Sequence, residues 1–175
     1  MTCFYPQARH TFHRLTINSK DLGRPALEAY SFEITVLIER AVLSATKLPE
    51  WSKSVVKKDL FDSNQQAWNP KVFYEPKGVA LVIAYVLIHE LFIACSILIS
   101  IHSPWNFPMI LSLQPMMAAI SAGCCCAVKV SEIAPHYATL IADLVPKYLD
   151  TSAFQIITGA VAETTRALEL KCKPR

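Results

Sequence analysis

The chain has 175 residues, a net charge of +3 and 53% hydrophobic residues, enough material for one domain with a real core. So mild a charge, with no basic run and no aromatic-interleaved stripe, excludes an ordinary nucleic-acid surface. Only four glycines are present, in neither a G-x-G-x-x-G turn nor a phosphate-cradling P-loop, so a nucleotide site would have to work without the glycine fingerprint.

Residues 1–18 show no hydrophobic period and no secretory signal. From Ser19 the pattern turns helical. Leu27, Tyr30, Ile34, Leu37, Ile38, Ala41 and Ala45 recur at helical spacing and predict a helix over 25–47, with Pro25 in the first turn and Pro49 as the stop. The polar stretch 50–70 reads as a connection, with Trp51 and Trp68 as anchors. Residues 72–74 and 79–83 read as strands, the second apolar throughout, as a strand buried on both faces is. Residues 107–122 read as a helix closed by Gly123, and 124–130 as the next buried strand. A helix follows over 134–148, with Pro135 at its start and Tyr137, Ile141, Leu144 and Tyr148 on one face; Pro146 should break its last turn. Residues 154–158 and 162–170 read as a strand and a helix. This β-α-β-α-β-α order predicts an α/β fold with a parallel sheet, preceded by an N-terminal helix.

Residues 84–103 do not fit that order, because they extend an already apolar strand by a further apolar run. Residues 79–101 together are long enough to span a bilayer, and the summed insertion energy of their Leu, Ile, Val and Phe outweighs the single Glu90. His89-Glu90 begins an H-E-x-x-H motif, but position 93 is Ile, so the zinc-protease reading fails. No metal site is expected from the six cysteines either. Cys124, Cys125 and Cys126 sit in a strand-like run where neighbours point to opposite faces, and Cys3, Cys95 and Cys172 show no paired spacing. They read as apolar thiols of a reducing compartment, which makes a cytoplasmic location the expectation and a membrane-associated one the alternative.

Two motifs carry chemistry. In Pro104-Trp105-Asn106-Phe107-Pro108 a strand ends, a helix begins, and one carboxamide stands at the junction. A side-chain amide there is suited to donate a hydrogen bond to an oxygen that becomes negative during a reaction. In Lys129-Val130-Ser131-Glu132 a cation and a carboxylate stand at the C-terminal end of the next strand, where open α/β sheets bind their ligands.

With these residues in hand, the chain from 20 to 170 resembles the N-terminal part of an aldehyde dehydrogenase, of the class that handles fatty and aromatic aldehydes. The resemblance rests on Asp21-Leu22-Gly23-Arg24-Pro25, Leu48-Pro49-Glu50-Trp51, Glu75-Pro76-Lys77-Gly78-Val79, the P-W-N-F-P and K-x-S-E motifs, Gln114-Pro115, Ala122-Gly123, and Thr158-Gly159 with Glu163-Thr164-Thr165. It implies an incomplete Rossmann-like sheet over 19–175, interrupted by the apolar insertion 84–103 and preceded by a tail, 1–18, outside the pattern. Residues 84–103 have no counterpart in that family and read as translated intron; an anchor through 79–101 is the rival.

The resemblance further implies oxidation of an aldehyde to a carboxylic acid with NAD or NADP. A cysteine thiolate attacks the carbonyl, hydride leaves to the nicotinamide, and a glutamate-activated water hydrolyses the thioester. Asn106 would donate to the oxyanion, Trp105 would line the cofactor side of the turn, and Lys129 and Glu132 would hold the adenosine ribose hydroxyls. Three departures stand out: Val130 replaces the family's Pro, Cys124 replaces its Asn, and none of the six cysteines sits in the motif of the nucleophile. The expectation is therefore an inactive fragment without the nucleophilic cysteine, the general-base glutamate or the strands through which family members form homo-oligomers. A small membrane-associated protein and a non-catalytic interaction module are the alternatives.

Overall fold

The computed structural model describes residues 19–56, 62, 68–83, 100–102 and 106–169, with the backbone alone at 100–102. Residues 1–18, the stretch 84–99, Trp105, Cys3, Cys95 and Cys172 lie outside the described residues, and with them residues 84–99 of the presumed span 79–101. Among the described residues no helix is long and apolar enough to cross a membrane.

After a short helical stretch at residues 19–22, α1 is one rod made of Ala26–Ala29, a π-helical turn at Tyr30–Ile34, and Thr35–Trp51. Two expectations are corrected here. Pro49 lies inside the helix and does not stop it. Proline's missing N–H frees only one carbonyl one turn back, and both Pro49 and Ala45 are exposed, which leaves that group open to solvent. The inward face also differs from the expected stripe. Ala29 and Glu33 are buried and Ile34 and Leu37 pack on the core, whereas Leu27, Tyr30 and Ile38 are exposed. The wider π turn rotates the residues that follow it relative to a straight 3.6-residue period.

After α1, β1 (Val55–Val56) and β2 (Lys71–Val72) form a short antiparallel ribbon. The strand expected at 72–74 ends at Val72, and Trp51 and Trp68 are largely exposed, not anchored. The main sheet follows, with β3 (Val79–Ile83), β4 (Ser100–His102), β5 (Cys125–Lys129) and β6 (Phe154–Ile157) in the order β4-β3-β5-β6. All three pairings are parallel; the register sets Ile83 opposite Lys129, and Lys129 opposite Ile157. The connecting helices are α2 (Pro108–Ser121), α3 (Pro135–Tyr148) and α4 (Val161–Glu169).

Strand alternation sorts the sheet into two faces. Val82, Cys126 and Val128 pack with Met109, Met116, Tyr137, Ile141 and Val145 of α2 and α3, and with Ile34 and Leu37 of α1. Leu81, Ile83, Ala127 and Ile157 turn the other way, onto Ala167 of α4. Helices on both faces explain why β3 and β5 read as unbroken apolar runs.

Helix ends follow local chemistry. Gly123 has φ +73, Cys124 N donates to Ala119 O at 2.9 Å and Gly123 N to Ile120 O at 3.0 Å, the paired closure of a helix by a left-handed glycine. Pro146, expected to break α3, is exposed and lies in its last turn, where the helix continues to Tyr148; Tyr148 itself is exposed and outside the expected shared face.

Candidate functional site

In a parallel sheet every strand ends on the same rim. Asn106 follows β4 in the chain, Glu132 follows β5, and β5 itself ends on Lys129, so these three residues lie toward the same C-terminal edge of the sheet.

Lys129 is the odd residue of its strand. By alternation it shares the α4 face with Ala127, and its side chain is 0% exposed. A buried ammonium needs a partner. Glu132 supplies one, with Oε2 at 2.5 Å from Lys129 Nζ and the Glu132 side chain 31% exposed. The pair therefore has a closed end under the helix and an open end at the rim. The loop between them is held by the sheet and by Ser131: Val130 N donates to Ile157 O at 3.1 Å, and Ile133 N donates to Ser131 Oγ at 3.3 Å.

Glu163 stands near this pair, a neighbour that the sequence reading did not assign. Its Oε2 accepts from Ala160 N at 2.9 Å, so the third residue of α4 reaches back over the helix start. That hydrogen bond first, then one from Glu163's own backbone, with smaller help from Arg166 and Lys129, holds the carboxyl below its ordinary value of 4.5. Gly159, at φ +129, makes room, since a Cβ there would lie 2.5 Å from Glu163 Cγ.

Asn106 is exposed at the rim, in the turn before α2. Its carbonyl oxygen accepts from Arg24 Nη2 at 2.7 Å. Helix α2 has no capping side chain at its own N-cap, Phe107. The cap comes from α1: Glu33, fully buried, takes Met109 N at 2.8 Å and Ile110 N at 3.2 Å on Oε2 and faces Arg24 Nη1 at 3.3 Å on Oε1. Helix α3 is capped in the same way from a distance. Asp21, 0% exposed, accepts His136 N at 3.1 Å and Tyr137 N at 2.8 Å, and its Oδ1 lies 2.6 Å from His136 Nδ1. Ser112 Oγ and Tyr137 Oη, 2.5 Å apart, tie the two capped helices together; burial pushes the Tyr137 phenol up, offset in part by Ser112.

From the sequence, Asp21 and Arg24 stand in a motif without an assigned role, and Glu33 is not singled out. The available signal was a carboxylate on an apolar helix face, Glu33 standing four residues from both Ala29 and Leu37. Of the expected site residues, Asn106, Lys129 and Glu132 share the rim; Trp105 is outside the described residues. A groove of about 770 Å³ lies at the other end of the molecule, between Leu48 and Trp51 of α1 and Met117 and Ile120 of α2, and takes no part in this site. The thiols sit far along β5 from its end at Lys129: Cys124 and Cys125 are half-buried, and desolvation, then the neighbouring Cys124 and Cys125, pushes Cys126 up to about 12.

A parallel sheet with helices packed on both faces is an α/β fold of the Rossmann-like kind. Residues 97–173 match the family described as aldehyde dehydrogenase. The chain is 34% identical over 154 residues to aldehyde dehydrogenase family 3 member H1 of Arabidopsis thaliana, covering 86% of this chain and 27% of that protein. It is 30% identical over 150 residues to the dimeric NADP-preferring aldehyde dehydrogenase of Canis lupus familiaris, covering 85% and 28%. Among solved structures, substrate-bound AldH of Staphylococcus aureus superposes with a TM-score of 0.73 at 25% identity, over 95% of this chain and 31% of that one. The chain thus matches the aldehyde dehydrogenase family, with relatives that include members of its family 3 over about 85% of this chain, and it spans about a quarter of the length of these curated relatives.

Proposed function

We propose that these residues form the oxyanion-donor and adenosine-ribose parts of an NAD(P)-dependent enzyme that oxidises an aldehyde to a carboxylic acid. The observation that carries the reading is the Lys129–Glu132 pair, a buried donor beside a half-open acceptor on the same rim as Asn106. A vicinal diol offers two hydroxyls, each able to donate and accept. The ammonium can donate to one while the carboxylate accepts from the other. The cofactor therefore fits the residues present. When bound it would supply the hydride acceptor, and Lys129 and Glu132 would hold its adenosine ribose.

The starts of α2 and α3, where an anion would otherwise settle, are filled by Glu33 and Asp21. This favours recognition of the dinucleotide through its ribose over recognition of its phosphates at those helix ends, in keeping with the missing glycine fingerprint. Asn106 would donate its side-chain amide to the oxygen that gains charge as a nucleophile adds to the aldehyde. Removing such a donor typically costs about 10²–10³ in rate.

Among the described residues no side chain is assigned as nucleophile or general base. Cys126 is buried with its thiol pushed up, which suits an inert core residue and not an attacking thiolate. This polypeptide by itself is therefore proposed to bind cofactor without turning over aldehyde. Calorimetric titration with NAD and NADP tests the reading. Saturable binding of either, weakened about 10- to 100-fold by Lys129→Ala through loss of one charge-assisted hydrogen bond, is the expected result. Binding that does not change on Lys129→Ala refutes it.

A further inference from the structure

We propose that Arg24 is the positioning residue for Asn106, fastening the turn that aims the carboxamide; the functional weight of this rests on the reading of Asn106 as oxyanion donor. The geometry is specific. Arg24 Nη2 donates to Asn106 O at 2.7 Å, and the guanidinium carbon stands 4.3 Å from the centroid of the Phe107 ring. Nη1 faces Glu33 Oε1 at 3.3 Å and Nε faces Glu28 Oε1 at 3.3 Å, with the Arg24 side chain only 13% exposed. Glu33 in turn holds the amides of Met109 and Ile110. One side chain and its partner thus grip a carbonyl, a ring and two amides within five successive residues.

The grip is delivered across 82 positions of sequence, to a turn that brings no cap of its own. The peptide unit that follows Asn106 is planar and rigid. Fixing its oxygen from one side and the next turn's amides from the other restricts the backbone rotation at Asn106, and with it the direction of the Cα–Cβ bond. An oxyanion donor is effective only when held in place before the reaction, and a misplacement of about 1 Å costs on the order of 10²-fold in rate. The fork of five donors is what lets one residue serve carbonyl, carboxylates and ring together. A lysine keeps the charge but, as a flexible point charge, cannot make this set.

The test uses a coincidence of composition. Asn106-Phe107 is the only Asn-Phe step in the chain. Labelling Asn carbonyl carbons with ¹³C and Phe amides with ¹⁵N therefore gives one carbonyl–amide correlation in the NMR spectrum, and it reports the carbonyl that Arg24 holds. In Arg24→Lys, which still neutralises Glu33, the carbonyl resonance is expected to move upfield as it loses its donor, while the spectrum stays dispersed and NAD affinity stays within about twofold of native, a difference of about 0.4 kcal/mol. A folded Arg24→Lys chain with that resonance unmoved overturns the proposal. If Arg24→Lys does not fold, Arg24→Ala is compared in millimolar guanidinium and millimolar ammonium. Restoration of the native resonance by guanidinium alone supports the proposal, and equal restoration by both, or by neither, overturns it. The two readings fail separately. A carbonyl that responds to Arg24 in a chain whose NAD binding ignores Lys129 leaves the positioning intact and removes the proposed function; the reverse pattern does the opposite.

Discussion

Glu33→Gln separates the charge of the buried carboxylate from its shape. Both amides that Glu33 holds, Met109 N at 2.8 Å and Ile110 N at 3.2 Å, go to the same oxygen, so glutamine can keep both acceptor contacts while losing their charge. A hydrogen bond to a charged group contributes about 1.5–3 kcal/mol and a neutral one about 0.5–1.5, so each contact weakens by about 1 kcal/mol. The other oxygen faces Arg24 Nη1, and there glutamine presents a second donor to a donor. Glu28 remains beside Arg24 and limits that loss. The sum is a destabilisation of about 2–4 kcal/mol, or roughly 5–15 °C in Tm for a chain of this size. Thermal unfolding followed by circular dichroism measures it. A Tm within about 2 °C of native would refute the reasoning, because it would mean that the start of α2 is not held by this charge.

Two further outcomes follow from the titrating groups. The Glu163 carboxyl is depressed by its bond from Ala160, so the cap on α4 is present above its unfolded value of 4.5 and is lost as pH falls through the lower folded value. The protection factor of the Ala160 amide should fall on acidification in the native chain, and in Glu163→Ala it should be low throughout; equal protection in both chains would contradict the capping role. At pH 8, alkylation followed by peptide mapping should modify the half-buried Cys124 and Cys125 well before Cys126, whose thiol burial pushes up to about 12. Modification of Cys126 at the same rate in the folded chain would contradict its burial.

The sheet was legible because its rules are local. Strand β3 coincides with the apolar run 79–83, and β5, β6, α2 and α3 depart from their expected limits by a residue or so, since prolines and Gly123 mark the ends. Asn106, Lys129 and Glu132 were legible as candidates because chain order alone sends the ends of parallel strands to one rim. The supports beneath them were not. Asp21 reaches Tyr137 across 116 positions and Glu33 reaches Met109 across 76, and no periodicity connects residues so far apart. The inward face of α1 was missed for a related reason, because a π turn at Tyr30–Ile34 leaves no mark in a pattern read at 3.6 residues per turn. The burial of Lys129 could not be read from its strand end, since it depends on α4 folding back over that face.

Lys129 and Glu132 are proposed to hold a sugar diol at the rim of the sheet. The most direct test is to titrate the native chain with ADP-ribose and with the analogue that lacks both hydroxyls on the adenosine ribose. The analogue should bind at least about tenfold more weakly than ADP-ribose, and the difference should vanish in Glu132→Gln/Lys129→Met. Equal affinity of the native chain for the two compounds would contradict the proposal.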